Sequence, residues 1–146
     1  MPSDRPPLFG KARFLEGLID EFLDKVSEGV IHFERSLLLM VDGGDLKVCE
    51  EKLTQLGALK QRCNEIRRLV VGMLYQEMLI PDFRADVLTL LSHLFTLLDR
   101  IEKTFHEFMI EHSDTSGRVS GVKDDVRELV EAVSYTHLTL PTNREV

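Results

Sequence analysis

The chain has 146 residues, with 25 Asp and Glu against 18 Lys and Arg, a formal net charge of −7, 29% charged residues and 43% hydrophobic ones. That length suits one domain with a real core, and the composition is globular rather than disordered. The acidic balance argues against nucleic-acid binding by phosphate neutralisation and against a polybasic membrane-surface protein.

Two cysteines make no disulfide framework, so the expected compartment is reducing and the expected location cytoplasmic. The opening MPSDRPPLFG has no apolar signal region, and no stretch reaches the ~18 uninterrupted apolar residues a spanning helix needs. The predicted elements are all helical. In the first, Leu15, Leu18, Ile19, Phe22, Val26, Val30, Phe33, Leu37 and Met40 recur at three and four residues, with most charges off that stripe. The pattern predicts an amphipathic helix over 10–41. Asp42-Gly43-Gly44-Asp45 ends it: the glycines supply positive-φ positions for a tight turn, and Asp45 can cap the next helix.

The second helix is predicted over 46–79, on a stripe of Cys49, Leu53, Leu56, Cys63, Ile66, Val70, Met73 and Leu74. The heptad phase puts Lys60 and Arg67 on or beside its seam. Gly57 and Gly72 each weaken a helix interior by ~1 kcal/mol relative to Ala, which points to close packing there. Pro81 disfavours helix at Ile80, and Asp82 is a candidate N-cap. The third helix is predicted over 83–112, with Leu88, Leu91, Phe95, Leu98, Ile101, Phe105 and Phe108 facing one way as core. Short connections make the three helices antiparallel neighbours.

Residues 114–117 read as a polar linker, and 118–133 as an amphipathic helix that opens a second bundle. At Ser134 the pattern changes to SYTHLTLPTNREV, rich in Thr and β-formers, with no capping glycine. Residues 134–146 therefore read as a non-native tail, with the helix ending at Val133.

The run ALKQRCNEIRRLVVGMLYQEMLIPDFRADVLTLLSHLFTLLDRIEK resembles the core segment of PhoU-like proteins, which are phosphate-transport regulators and transporter accessory proteins. Arg67-Arg68 fall at the family's Arg or Lys pair, and Leu79, Pro81, Arg84, Asp86, Val87 and Leu88 fall where its Leu-x-Pro-x-x-Arg-x-Asp-Leu/Ile-Leu turn places them. The resemblance covers about 10–112. It implies an all-α fold in which 8–113 form an antiparallel three-helix bundle, the first half of a two-bundle architecture, followed by a truncated fourth helix.

The resemblance also implies metal ions on paired carboxylates, because acids at i and i+4 on two adjacent helices make an oxygen-rich cation site. This chain departs from that pattern. The second-helix pair is Lys60 and Asn64, and the third-helix pair is Phe95 and Asp99. Asp99 is left as a weak metal candidate, Lys60 would repel a cation, and no cofactor is expected. Lys60 can instead neutralise Asp99 across the bundle, or snorkel to solvent.

Cys49 and Cys63 lie ~21 Å apart along one helix, too far to share a disulfide or a metal, and read as buried thiols. His32, His93, His106 and His112 form no HExxH motif, Gly43-Gly44 has no phosphate-loop spacing, and no nucleophile elbow is present. Arg84 and Asp86, at the start of the third helix, are either a local cap with its ion pair or a partner contact.

The expected function is a non-enzymatic regulator or accessory of phosphate transport, working by protein–protein contact. Its expected partner is an inorganic phosphate transporter or an associated sensor, with membrane association only through that partner. The alternatives are a metal-binding helical bundle, for which the Glu-x-x-His motif of di-iron bundles is missing, and a ligand-free oligomerisation module. A core face left open by a missing second bundle would favour homo-oligomers.

Overall fold

The computed structural model describes residues 8–76, 84–114 and 123–139. They form four helices: α1 (Leu8–Val41), α2 (Leu46–Gln76), α3 (Arg84–Asp114) and α4 (Lys123–Thr139). No strand occurs among the described residues. No helix among them is long and apolar enough to cross a membrane. The helix break expected at Ile80-Pro81, the cap expected at Asp82 and the linker at 115–117 lie outside the described residues.

Helices α1, α2 and α3 pack pairwise against one another. Residue pairings give their directions. Glu21 meets Arg62, whereas Gly29 meets Leu56, so α1 and α2 run antiparallel. Lys60 meets Asp99, whereas Arg67 meets Phe95, so α2 and α3 do the same. Helices α1 and α3 are then parallel, with Gly29 beside Leu98 and the Phe33 and Phe105 rings edge to face at 6.3 Å. The predicted stripes form the core. Phe22, Leu15, Leu56, Cys63, Ile66, Val70, Leu74, Leu91, Leu98 and Phe105 are all essentially inaccessible. Ser36, the one buried polar residue among the described residues, donates its hydroxyl to the His32 carbonyl at 2.6 Å, which satisfies it within its own helix.

The α1–α2 turn is a Schellman motif. Gly43 has φ of 79°, its N–H donates to the Met40 carbonyl at 3.1 Å, and the Gly44 N–H donates to the Leu39 carbonyl at 2.8 Å. Only Gly43 adopts the left-handed conformation. Gly44 is needed for space, since a Cβ there would stand 2.8 Å from the Leu39 carbonyl oxygen and closer still to its side chain. Asp45 Oδ1 accepts the Lys47 N–H at 2.9 Å, the expected cap of α2.

Several expectations need correction. Close approach of helices is served by Gly29, where a Cβ would meet Leu98 Cδ2 at 2.6 Å and Leu56 Cδ1 at 3.3 Å; nothing lies within 4 Å of such an atom at Gly72. Phe108 is exposed rather than core, whereas Phe105 and Met109 of the same helix face the interior. Asp114 closes α3 instead of opening a linker, with no glycine or proline before Gly117 to stop the helix. Helix α4 does not end at Val133 but continues to Thr139. Thr and Tyr lower helix propensity by only a few tenths of a kcal/mol each, and the first residue that cannot continue a helix is Pro141. Helix α4 packs on α1: Val130 is buried, and Arg127 pairs with Asp42 at the C-terminal end of α1.

Gly43→Ala should lower unfolding stability by about 1 kcal/mol, because alanine strains at positive φ. Gly72→Ala, in an uncrowded helix interior, should raise it by up to about 1 kcal/mol. Urea denaturation midpoints check both signs.

Candidate functional site

The seam between α2 and α3 carries a polar ladder. Lys60, Asn64 and Arg67 share one face of α2, and Phe95, Asp99 and Glu102 share the facing side of α3, as three- and four-residue spacings require. The Lys60 ammonium donates to Asp99 Oδ1 at 3.1 Å and also to Glu102 Oε2. On its outer side, Asp99 Oδ2 pairs with Lys103 at 2.7 Å. Further along, the Arg67 guanidinium lies 4.5 Å from the Phe95 ring centroid, and its Nη2 donates to Asn64 Oδ1 at 3.1 Å.

The hydrogen bond to Glu102 raises the Lys60 pKa above its ordinary value, assisted by Asp99 and opposed by partial burial. Lys103 first, and then Lys60, hold the Asp99 carboxyl below the usual Asp range. Gly57 makes room for this arrangement: a Cβ there would sit 3.3 Å from Glu102 Oε1. Lys60 thus occupies the place between α2 and α3 where a cation would have to sit. A divalent ion at Asp99 would have to displace an ammonium already bonded to both available carboxylates. Among the described residues no three His, Cys, Asp or Glu side chains converge as a ligand set. Glu102 is absent from the sequence reading, although its three-residue spacing from Asp99 was signal enough to find it.

Arg84 and Asp86 do not act together. The Arg84 guanidinium stacks over Tyr75 at the end of α2, 5.2 Å from the ring centroid, and its Nε is buried without a hydrogen-bond partner. Asp86 is exposed in the first turn of α3, where it complements the helix dipole. No ion pair joins the two among the described residues. Cys49 and Cys63 are free, fully buried thiols. Burial pushes Cys63 up to about 11 and raises Cys49 as well.

The α1–α3 face differs from the α2–α3 seam. Leu23, Val26, Val30, Phe33 and Leu37 of α1, with Leu94, Leu97 and Ile101 of α3, wall an open groove of about 510 Å³ to which α4 adds Leu129 and Val130. Its polar lining is limited to Ser27 and Glu34. Glu34 Oε1 is buried and has no hydrogen-bond partner. Val26 and Leu37 of the expected α1 stripe are buried, Val30 and Phe33 pack half-buried against the core, and Leu23, Leu97 and Leu129 are the exposed apolar residues of the groove. Comparison with known protein families, curated proteins and solved structures finds no match.

Lys60→Met leaves two carboxylates facing each other without their shared cation and should lower Tm at pH 7. Asp99 titrates lower in the folded chain, so its contribution is complete above its ordinary pKa of about 3.9 and disappears as pH falls through the folded value. Lys60 titrates higher in the folded chain, so its contribution is complete below its ordinary pKa of about 10.4 and disappears as pH rises through the folded value. The Tm gap between wild type and variant should therefore span neutral pH and narrow in acid; thermal melts from pH 3 to pH 9 measure it. At pH 8 only on the order of one Cys63 in a thousand is thiolate, so iodoacetamide should modify neither cysteine in native protein and both after unfolding, as mass spectrometry would record.

Proposed function

We propose that this chain is a non-enzymatic regulator or accessory of phosphate transport, acting by contact with an inorganic phosphate transporter or its sensor at the cytoplasmic face of the membrane. In this reading α1–α3 are the first three-helix bundle of a PhoU-like two-bundle fold, and α4 opens the second. The resemblance over Ala58–Lys103 supports the family, and the long antiparallel helices agree with its architecture.

The observation that carries the contact mechanism is the apolar groove along α1 and α3. Leu23, Leu97 and Leu129 stand exposed over its buried Val26, Leu37 and Ile101, and each apolar Å² that a partner covers there is worth roughly 25 cal/mol. A partner that binds this bundle in only one of its own conformations shifts its equilibrium toward that state, which is how contact alone can gate transport. Asp86, exposed where the resemblance is most specific, is a second contact point; Arg84, stacked on Tyr75, shapes the surface beside it.

Disruption of the gene in its own cells should change the uptake of labelled phosphate, with the difference between phosphate-replete and phosphate-starved cells reduced. Asp86→Lys, with an unaltered melting temperature, should reproduce part of that change. Uptake identical to wild type under both conditions would overturn the phosphate-transport reading.

A further inference from the structure

We propose that the α1–α3 groove receives a cationic amphipathic helix of a partner protein, with its apolar stripe on Leu23, Leu97 and Leu129 and one basic side chain on Glu34. This deepens the contact reading above and rests on it, but it does not depend on the partner being a phosphate transporter.

Shape comes first. The α1 wall runs from Leu23 to Leu37, roughly 20 Å or four helical turns, with Leu23 exposed, Val26 and Leu37 buried, and α4 bordering it through Leu129 and Val130. An elongated apolar channel between two parallel helices is matched by a third helix carrying apolar residues at i, i+3, i+4 and i+7. All three side chains named are exposed: Leu23 by 38%, Leu97 by 42% and Leu129 by 65%. Covering them removes apolar surface from water without unpacking the core beneath.

Charge selects among helices. Glu34 stands on the groove wall with Oε1 buried and unpaired, and a buried carboxylate oxygen without a donor is costly. An Arg or Lys side chain arriving with the helix would supply the missing donor through a charge-assisted hydrogen bond. The surroundings agree in sign. Each of α1, α3 and the described part of α4 carries more acidic than basic residues, and the whole chain has net charge −7. This field attracts a basic helix and disfavours a second acidic copy of the same chain.

The test uses the full chain and a synthetic capped helical peptide of roughly 18 residues with a leucine stripe and one arginine at its centre. Fluorescence anisotropy should show saturable binding. Glu34→Gln should weaken it about tenfold, and replacing the peptide's arginine by glutamate should abolish it. Leu97→Asp should also abolish binding while leaving the melting curve in place. Failure of the peptide to bind the native chain would overturn the proposal. So would equal affinity for the arginine and glutamate peptides, or no effect of Glu34→Gln on a chain that melts normally. A concentration-dependent dimer in light scattering, dispersed by Leu97→Asp, would assign the groove to a second copy instead. If phosphate uptake is unaffected by gene disruption but peptide binding depends on Glu34, the transport reading falls and the groove assignment stands.

Discussion

The structure depends on one constraint: α1 has to present apolar surface to α2 and α3 at the same time. Phe22, with no accessible surface, and Gly29, where the two neighbours press Leu56 and Leu98 against its backbone, mark the places where all three helices meet. A side chain of phenylalanine size contributes about 1.5–3 kcal/mol when fully buried, and this centre repeats along the length of α1. Because the contacts interdigitate, they also set the longitudinal position of each helix. A shift of α2 by one residue would take Leu56 off Gly29, Arg62 off Glu21 and Lys60 off Asp99 together.

The polar ladder is read most naturally against that register. Surface ion pairs contribute little on their own, and half-buried ones often do no better than the apolar residues that could replace them. The Lys60–Asp99–Glu102 cluster is more selective than it is strong. It is satisfied at one alignment of α2 on α3 and leaves carboxylates facing each other at the neighbouring ones. Arg67 over Phe95 and Arg62 between Glu21 and Glu65 repeat the same device on either side of the α2 core stripe. An ammonium fixed to a helix also does structurally what a bound cation would do between two acidic helices, without dependence on metal supply.

The two outer faces of α3 consequently differ in character. Toward α2 it is closed by charges that satisfy one another. Toward α1 it leaves an apolar channel whose buried carboxylate oxygen has no donor. Among the described residues no three His, Cys, Asp or Glu side chains converge as a ligand set, and on the first face the acids are engaged by lysine. The proposed partner contact lies on the second face, which combines exposed apolar side chains with one unpaired carboxylate oxygen.

Much of the architecture is local physics and follows from the sequence by itself. The three- and four-residue spacing of Leu, Ile, Val and Phe specifies four helices, the Gly43-Gly44-Asp45 run specifies a capped turn, and the cysteine spacing rules out a shared bond or metal. The opposition of Lys60 to Asp99 was expected through the resemblance, because the two residues stand at its paired-carboxylate positions on the second and third helices. What tertiary structure decided is everything that depends on distance between helices. It made Gly29 rather than Gly72 the point of close approach, left Phe108 outside the core, and exposed Leu23 and Leu97 while sealing Leu91 and Leu98 beside them. A helical stripe wider than its neighbour can cover contains more apolar positions than the core has room for. Periodicity identifies the candidates, and only the spacing and crossing of the packed helices determines which are buried and which remain for a partner.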